Sequence, residues 1–182
     1  MMKILPSGRW VDLENLSPGD IDIVDISYSL SRVLRMLGWG PDSLSVAQHS
    51  VAVAALVPLR LGLPAMLHDA HEYVMGDIPT PVKEAVPQIR ELQNRIQSVI
   101  HRKFGIVLTD DDVVEIKEAD KKSGIAEMSW AFSMSPAECV ERFGSEPDMS
   151  VILATGCNSS LDNEQFLESF RFYERSYKKY GK

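Results

Sequence analysis

Cysteine is scarce in this chain of 182 residues: Cys139 and Cys157 stand alone, 18 positions apart. A zinc knuckle needs more ligands at a tighter spacing, so we expect two free thiols in a reducing cytoplasm. No apolar run approaches the roughly 20 residues that span a bilayer. The first residues lack the apolar core of a secretion signal. These absences predict a cytoplasmic protein with no membrane partner.

Positive charge is also in short supply, since 19 Lys and Arg face 26 Asp and Glu, a net charge of −7. A protein that coats nucleic acid needs a clustered basic surface, so nucleic acid is not an expected partner. A small phosphorylated substrate stays possible, because a bound divalent cation and two or three local Lys or Arg can reverse the field inside one pocket. The hydrophobic share of 45% is enough for one sizeable core.

Strand patterns, repeats and low-complexity tracts are almost absent, and the fold class is therefore all-α. We expect a single domain over 1–182, built as a compact helical bundle with a short extended arm or hairpin over 1–20. A helical core covers 21–134, and an irregular segment with a C-terminal helix covers 135–182. Apolar spacing and breakers predict helices at about 21–37, 45–59, 64–75, 89–104, 110–132 and 162–180.

The most informative stretch is PAMLHDAHEYVMGD, residues 64–77. It places His68 and Asp69 side by side within an apolar helical run, where a carboxylate is costly unless something pairs with it. A divalent metal ion is a favourable partner for adjacent imidazole and carboxylate groups. The stretch therefore indicates half of a metal site. Glu72 shares a helical face with both residues, and Asp77 follows the break at Gly76.

Two residues elsewhere can complete the site: His49, within VAQHSV, and Asp120, within IKEAD. Taken alone, His49 is more often a core or surface histidine, and Asp120 can be a solvated carboxylate paired with Lys117 or Lys121. Together with His68 and Asp69 they give a mixed nitrogen and oxygen set that suits Mn, Fe, Co, Zn or Mg. His71 and His101 have no evident partners and are assigned to structure or surface.

The pattern His49, His68-Asp69, Asp120 resembles the HD-domain metal-dependent phosphohydrolases. The segments SVAQHS (45–50) and LHDAHEYVMGDIPTPVK (67–83) are similar to the branch that contains bacterial 5′-deoxynucleotidases and bacteriophage enzymes that strip triphosphate from dATP. The segments GRWVDL (8–13) and LSRVLR (30–35) resemble the phage and prophage members in particular. The resemblance covers roughly residues 7 to 125.

The resemblance implies a role for each matching residue. It makes His49, His68, Asp69 and Asp120 the ligands of one divalent ion (Co, Mn, Zn, Fe or Mg), with a second ion that bridges substrate phosphates as an open alternative. It makes Glu72 and Asp77 the catalytic acids beside the metal-bound water. It makes Arg35 a phosphate contact, with Lys83 and Lys117 as further candidates by position and charge. Related sequences often carry an aromatic residue after that arginine, whereas this chain has Met36 there and Trp39 three positions later.

The resemblance favours a phage-type dATP triphosphohydrolase that releases triphosphate or stepwise phosphate. The alternatives are a 5′-deoxynucleotidase that acts on deoxynucleoside monophosphates and, from another class, a catalytically inactive nucleotide-binding regulatory module. The complete set of ligands and acids disfavours the inactive module. A cyclic-nucleotide phosphodiesterase is disfavoured because it generally needs further ligands for a second ion. Apolar stripes on the helix at 88–104 and on the C-terminal helix favour core packing, and a homo-oligomer is also expected.

Overall fold

The computed structural model describes residues 1–40, 43–154 and 163–181, and no side chain at 153 or 154. The N-terminal arm is a hairpin, in which β1 (Met2–Ile4) pairs antiparallel with β2 (Trp10–Asp12). Buried Asp25 holds the turn of this hairpin by accepting hydrogen bonds from the Ser7 backbone N–H at 2.7 Å and the Ser7 hydroxyl at 2.9 Å. Arg9 donates a third, at 3.2 Å.

Helices make up most of the described fold, which confirms the all-α prediction. In chain order they are α1 (Ile23–Leu30), α2 (Val46–Ala55), α3 (Gly62–Met66), α4 (Glu72–Met75), α5 (Thr80–Ala85), α6 (Pro87–Phe104), α7 (Asp110–Phe132), α8 (Pro136–Phe143), α9 (Ser150–Ala154) and α10 (Asn163–Tyr180). Within the described ranges, no helix is long and apolar enough to cross a membrane.

The main core forms where α1, α2, α3 and α10 pack together. Buried Phe166 and Phe170 bring α10 into this core. At Gly62 an added Cβ would collide with the ring of Tyr173, so this position needs glycine for α3 to approach α10. Helix α7 packs against α2 on the side that carries the site described below.

The first predicted helix is shorter than expected and ends at Leu30 rather than near residue 37. The apolar spacing continues through Val33 and Leu37, but the chain leaves the helix and makes a 3₁₀ turn at Arg35–Gly38. Met36 and Leu37 have φ values of 54° and 56°, in the left-handed region that residues other than glycine rarely adopt. A hydrogen bond from the Met36 backbone N–H to the side chain of Asp77 holds this turn.

Two other expectations about helices need correction. The segment around His68 is not one helix, because α3 and α4 are separated by a turn over 67–71. The segment after residue 134 is more regular than expected, because Ser135 caps α8 and α9 follows it.

Cys139 is buried and unpaired, as expected of a free thiol, and Cys157 lies outside the described residues.

Candidate active site

Four possible metal ligands converge from three parts of the fold. His49 lies in α2, Asp120 lies in α7, and His68 with Asp69 occupies the turn between α3 and α4. His49 Nε2 lies 3.1 Å from Asp120 Oδ1 and 3.3 Å from His68 Nε2. His68 Nε2 lies 3.2 Å from Asp69 Oδ2. One ligand atom from each of the four lies within 4.8 Å of the others. We call this set the quartet.

Both histidines of the quartet turn Nε2 toward its centre and engage Nδ1 elsewhere. His68 Nδ1 lies 2.7 Å from the Ala65 carbonyl oxygen, which can only accept, so Nδ1 carries the proton there. His49 Nδ1 lies 2.5 Å from Glu127 Oε1. A histidine that ligates metal almost always donates its other N–H to a carbonyl or carboxylate in this way. The quartet therefore fits a divalent cation on the chemistry of its own donors.

The carboxylates of the quartet are held in the ionised form that metal ligation requires. Burial raises the pKa of Asp120, but the imidazoles of His49 and His68, which donate from Nε2 when they are protonated, outweigh burial and place that pKa well below its usual range. Burial likewise raises the pKa of Asp69, and the charge of His68 outweighs it. Two imidazoles and two carboxylates are a set that borderline divalent ions accept.

Glu127 is a functional candidate that the sequence reasoning missed. It is 1% exposed and accepts hydrogen bonds from Ser123 Oγ at 2.7 Å and Arg35 Nε at 3.0 Å, besides its contact with His49. Burial raises the pKa of Glu127, but the charges of His49 and Arg35 outweigh burial and lower this pKa to about 2. The usable signal was a carboxylate within an apolar stretch, seven residues and two helical turns after Asp120.

Arg35, which the resemblance makes a phosphate contact, lies at the edge of the quartet. Its Nη1 lies 3.8 Å from Asp69 Oδ2 and 3.8 Å from Asp77 Oδ2, while Nε is held by Glu127. The side chain is mostly buried but lines a cavity next to the quartet. A guanidinium in this position has donors available for a phosphate oxygen.

Asp77 has a structural contact that the sequence did not predict. Its Oδ2 accepts a hydrogen bond from the Met36 backbone N–H at 2.9 Å. This bond ties the left-handed turn at Met36 and Leu37 to the segment after α4. Asp77 therefore supports the wall of the cavity as well as carrying charge beside Arg35.

Glu72 is 1% exposed and lies beside the quartet without belonging to it. Its Oε1 lies 3.8 Å from Lys83 Nζ, and its Oε2 has no hydrogen-bond partner among the described residues. Burial, followed by the negative charges of Asp69 and Asp77, raises the pKa of Glu72 to about 9. A carboxyl group in this environment keeps its proton at neutral pH.

Two cavities meet at Asp69, Thr80, Lys83 and Asp120. The first, of about 650 Å³, also contains Arg35, Glu72 and Asp77 and has a largely apolar wall of Met36, Trp39, Ile78, Pro79, Met128, Phe132 and Phe143. Trp39 is 74% exposed, so it lies at the rim, whereas Met36 is partly buried. The second, of about 500 Å³, is more polar and includes Lys117, Arg90, His71 and Gln97.

The structure thus brings every site residue predicted from the sequence to the quartet or to one of the two cavities. Lys83 borders both cavities and contacts Glu72. Lys117 is exposed and borders only the second cavity. Their expected roles as phosphate contacts stay predictions.

Comparison with known proteins gives matches in the same region of the chain. The model of a family described as 5′-deoxynucleotidase YfbR-like matches residues 43–111, which include His49, His68 and Asp69. An uncharacterised protein of Rhodobacter capsulatus is 40% identical over 154 residues, 78% of each chain. The uncharacterised protein YfdR of Escherichia coli is 37% identical over 100 residues, 55% of this chain and 56% of that protein.

A relative from Vibrio cholerae named 5′-deoxynucleotidase is 26% identical over 106 residues, which cover 58% of this chain and 47% of that protein. One from Cronobacter sakazakii with the same name is 32% identical over 98 residues, 49% of each chain. The chain thus spans about half the length of these named relatives.

Proposed function

Because the chain belongs to the YfbR-like family of HD-domain 5′-deoxynucleotidases, we propose that it hydrolyses the 5′-phosphate ester of deoxynucleoside monophosphates. The observation that carries this proposal is the convergence of the quartet beside the buried carboxyl group of Glu72 and the guanidinium of Arg35. The proposed products are a deoxynucleoside and inorganic phosphate.

The quartet of His49, His68, Asp69 and Asp120 would hold one divalent cation. When bound, that cation would supply Lewis-acid polarisation of a phosphoryl oxygen and a lowered pKa for water. Glu127 would hold His49 in the tautomer that leaves Nε2 for the cation.

Arg35 and Lys83 would bind the phosphate group. Both border the first cavity, and both carry positive charge toward the place where Asp69 and Glu72 meet. Preorganised cations of this kind stabilise the charge that accumulates on phosphoryl oxygens in the transition state. The apolar wall of the same cavity, with Met36 and Trp39 at one side, would receive the nucleoside.

Glu72 would donate a proton to the leaving 5′ oxygen. Its raised pKa keeps the proton available at neutral pH, and a positioned acid of this kind contributes a factor of roughly 10² to 10⁴. Asp77 contributes to that raised pKa through its charge and holds the backbone of Met36. We therefore assign Glu72 to proton transfer and Asp77 to positioning, which narrows the paired catalytic role expected from the sequence.

The monophosphate takes precedence over the dATP triphosphate that the sequence favoured, because the named relatives are 5′-deoxynucleotidases. One observation supports the triphosphohydrolase as the second candidate: Arg90 and Lys117 border the second cavity and offer charge for further phosphates. The cytoplasmic location, the homo-oligomer and the absence of nucleic acid as a partner stay predictions.

Product analysis distinguishes these possibilities. The purified chain is incubated with the four dNMPs and the four dNTPs in the presence of Mn²⁺, Co²⁺, Zn²⁺ or Mg²⁺, and products are separated by chromatography. The proposal expects deoxynucleoside and phosphate from dNMPs. Release of intact triphosphate from dNTPs with no reaction of dNMPs would contradict it and favour the second candidate. No product with any cation would favour the regulatory module.

A further inference from the structure

A second group of possible ligands adjoins the quartet and consists of Asp69, His71 and Glu72. One ligand atom of each lies within 4.8 Å of the others. His71 is 8% exposed and Glu72 is 1% exposed, so both are almost fully withdrawn from water. Asp69 belongs to both groups, and a carboxylate has two oxygens to share between two ions.

Gln97 on α6 fixes which nitrogen of His71 carries its proton. Gln97 Nε2 lies 2.7 Å from the Leu67 carbonyl oxygen, and because a carbonyl can only accept, this end of the amide must be the NH₂ group. The amide oxygen of Gln97 therefore faces His71, where it lies 3.3 Å from the backbone N–H and 3.2 Å from Nδ1. Nδ1 consequently holds the proton, and Nε2 presents a lone pair.

His71 is thus prepared in the same way as the two histidines of the quartet. His49 Nδ1 is held by Glu127, His68 Nδ1 by the Ala65 carbonyl, and His71 Nδ1 by Gln97. In the part of the chain that the structure describes, His71 Nε2 and Glu72 Oε2 are both buried without a hydrogen-bond partner. Buried polar atoms are normally satisfied, so two exceptions in consecutive residues of one ligand group need a partner.

We propose that Asp69, His71 and Glu72 form a second divalent-cation site that shares Asp69 with the quartet. An imidazole with two carboxylates favours Mn²⁺, Co²⁺ or Zn²⁺ over Ca²⁺. The sequence showed no histidine for a second ion, because only the structure shows that Gln97, 26 residues away, orients His71. With three ligands rather than four, the second site binds more weakly than the quartet.

The site deepens the proposed function, on which its role rests, because paired ions in phosphatases lie about 3.5–4 Å apart and clamp the oxygens of the reacting phosphate. A cation here needs Glu72 ionised. Glu72 can therefore donate a proton only while the quartet alone holds a cation.

The test measures metal stoichiometry on the full chain with Mn²⁺ alone. Isothermal titration calorimetry of chelator-treated protein should give two Mn²⁺ per wild-type chain. Electron paramagnetic resonance should show spin coupling between these two ions. His71→Leu should bind one Mn²⁺ with the tighter affinity unchanged. His101→Leu is the matched control, since His101 borders the same cavity and contacts Gln97 but belongs to neither group; it should keep both ions.

Gln97→Leu separates a metal site from a merely structural role, because it leaves all three ligands in place. It should weaken the second ion by about 10- to 100-fold while the first keeps its affinity. Wild-type saturation at one uncoupled Mn²⁺, or two ions in His71→Leu, would overturn the inference. If His71→Leu fails to fold, as judged by circular dichroism, the wild-type stoichiometry and coupling decide.

These outcomes are separate from those of the proposed function. A chain that binds two coupled ions but releases no phosphate from any nucleotide keeps the second site and loses the proposed activity. A chain that binds one ion and hydrolyses dNMPs keeps the proposed activity and loses the second site.

Discussion

Glu127 Oε1 lies 2.5 Å from His49 Nδ1, on the side of the imidazole that faces away from the quartet. Its other oxygen accepts a hydrogen bond from Arg35. One buried carboxylate therefore orients both a proposed metal ligand and a proposed phosphate ligand, and the two change together when it is altered.

Glu127→Gln tests this coupling. The variant keeps the shape of the side chain but loses the charge that both His49 and Arg35 face. We expect the affinity of the tighter Mn²⁺ to fall by about 10- to 100-fold, together with a rise in KM for nucleotide. Titration calorimetry and steady-state kinetics measure the two effects. Glu118→Gln, an exposed position on the same helix, is the control and should change neither; an unchanged Mn²⁺ affinity in Glu127→Gln contradicts the role given to Glu127.

Glu72→Gln tests proton transfer. The amide fills the same space but carries no ionisable proton, so turnover at a Mn²⁺ concentration that fills only the quartet should fall by roughly 10² to 10⁴. The ion in the quartet should stay, because Glu72 does not belong to that set. Turnover with saturating nucleotide and metal content by mass spectrometry give the two readings, with exposed Glu91→Gln as the control. Loss of the tight ion would make Glu72 a ligand of the quartet and refute its assigned role.

Asp77 and the backbone of Met36 explain where the sequence pattern misled. The apolar spacing that predicts helix through residue 37 is local, whereas the turn depends on a hydrogen bond to a residue 41 positions away. The His68-Asp69 pair was found from sequence because adjacent polar residues in an apolar run stand out. Glu127 gave a similar signal, but its partners His49 and Arg35 come close only in the fold.

Asp77→Ala tests that hydrogen bond. The change leaves the Met36 N–H without its acceptor in a left-handed turn, which should lower the free energy of unfolding by about 1–3 kcal/mol. Asp77→Asn keeps an acceptor at the same place and should recover most of this loss. Urea unfolding followed by circular dichroism compares the two. Equal destabilisation by both substitutions would show that the charge of Asp77, rather than its hydrogen bond, supports the turn.

Asp25→Ala should separate stability from activity. Asp25 is 2% exposed and holds the hairpin through Ser7 and Arg9, away from the quartet. Its removal deletes the hydrogen bonds that this buried carboxylate accepts from Ser7 and Arg9, so we expect a loss of about 1–3 kcal/mol in the free energy of unfolding. Turnover by the folded fraction should stay at the wild-type level. Glu14→Ala, an exposed contact of the N-terminal amine, should cost less than about 0.5 kcal/mol; a comparable cost in both variants would refute the special role of Asp25.

The most direct test of the central claim is phosphate release from dNMPs by chelator-treated wild-type protein as Mn²⁺ is added back. We expect no release without the cation and a return of release as the quartet fills, with no such return in Asp120→Asn. Release that persists in the stripped protein, or none at any Mn²⁺ concentration, would contradict a metal-dependent deoxynucleotidase.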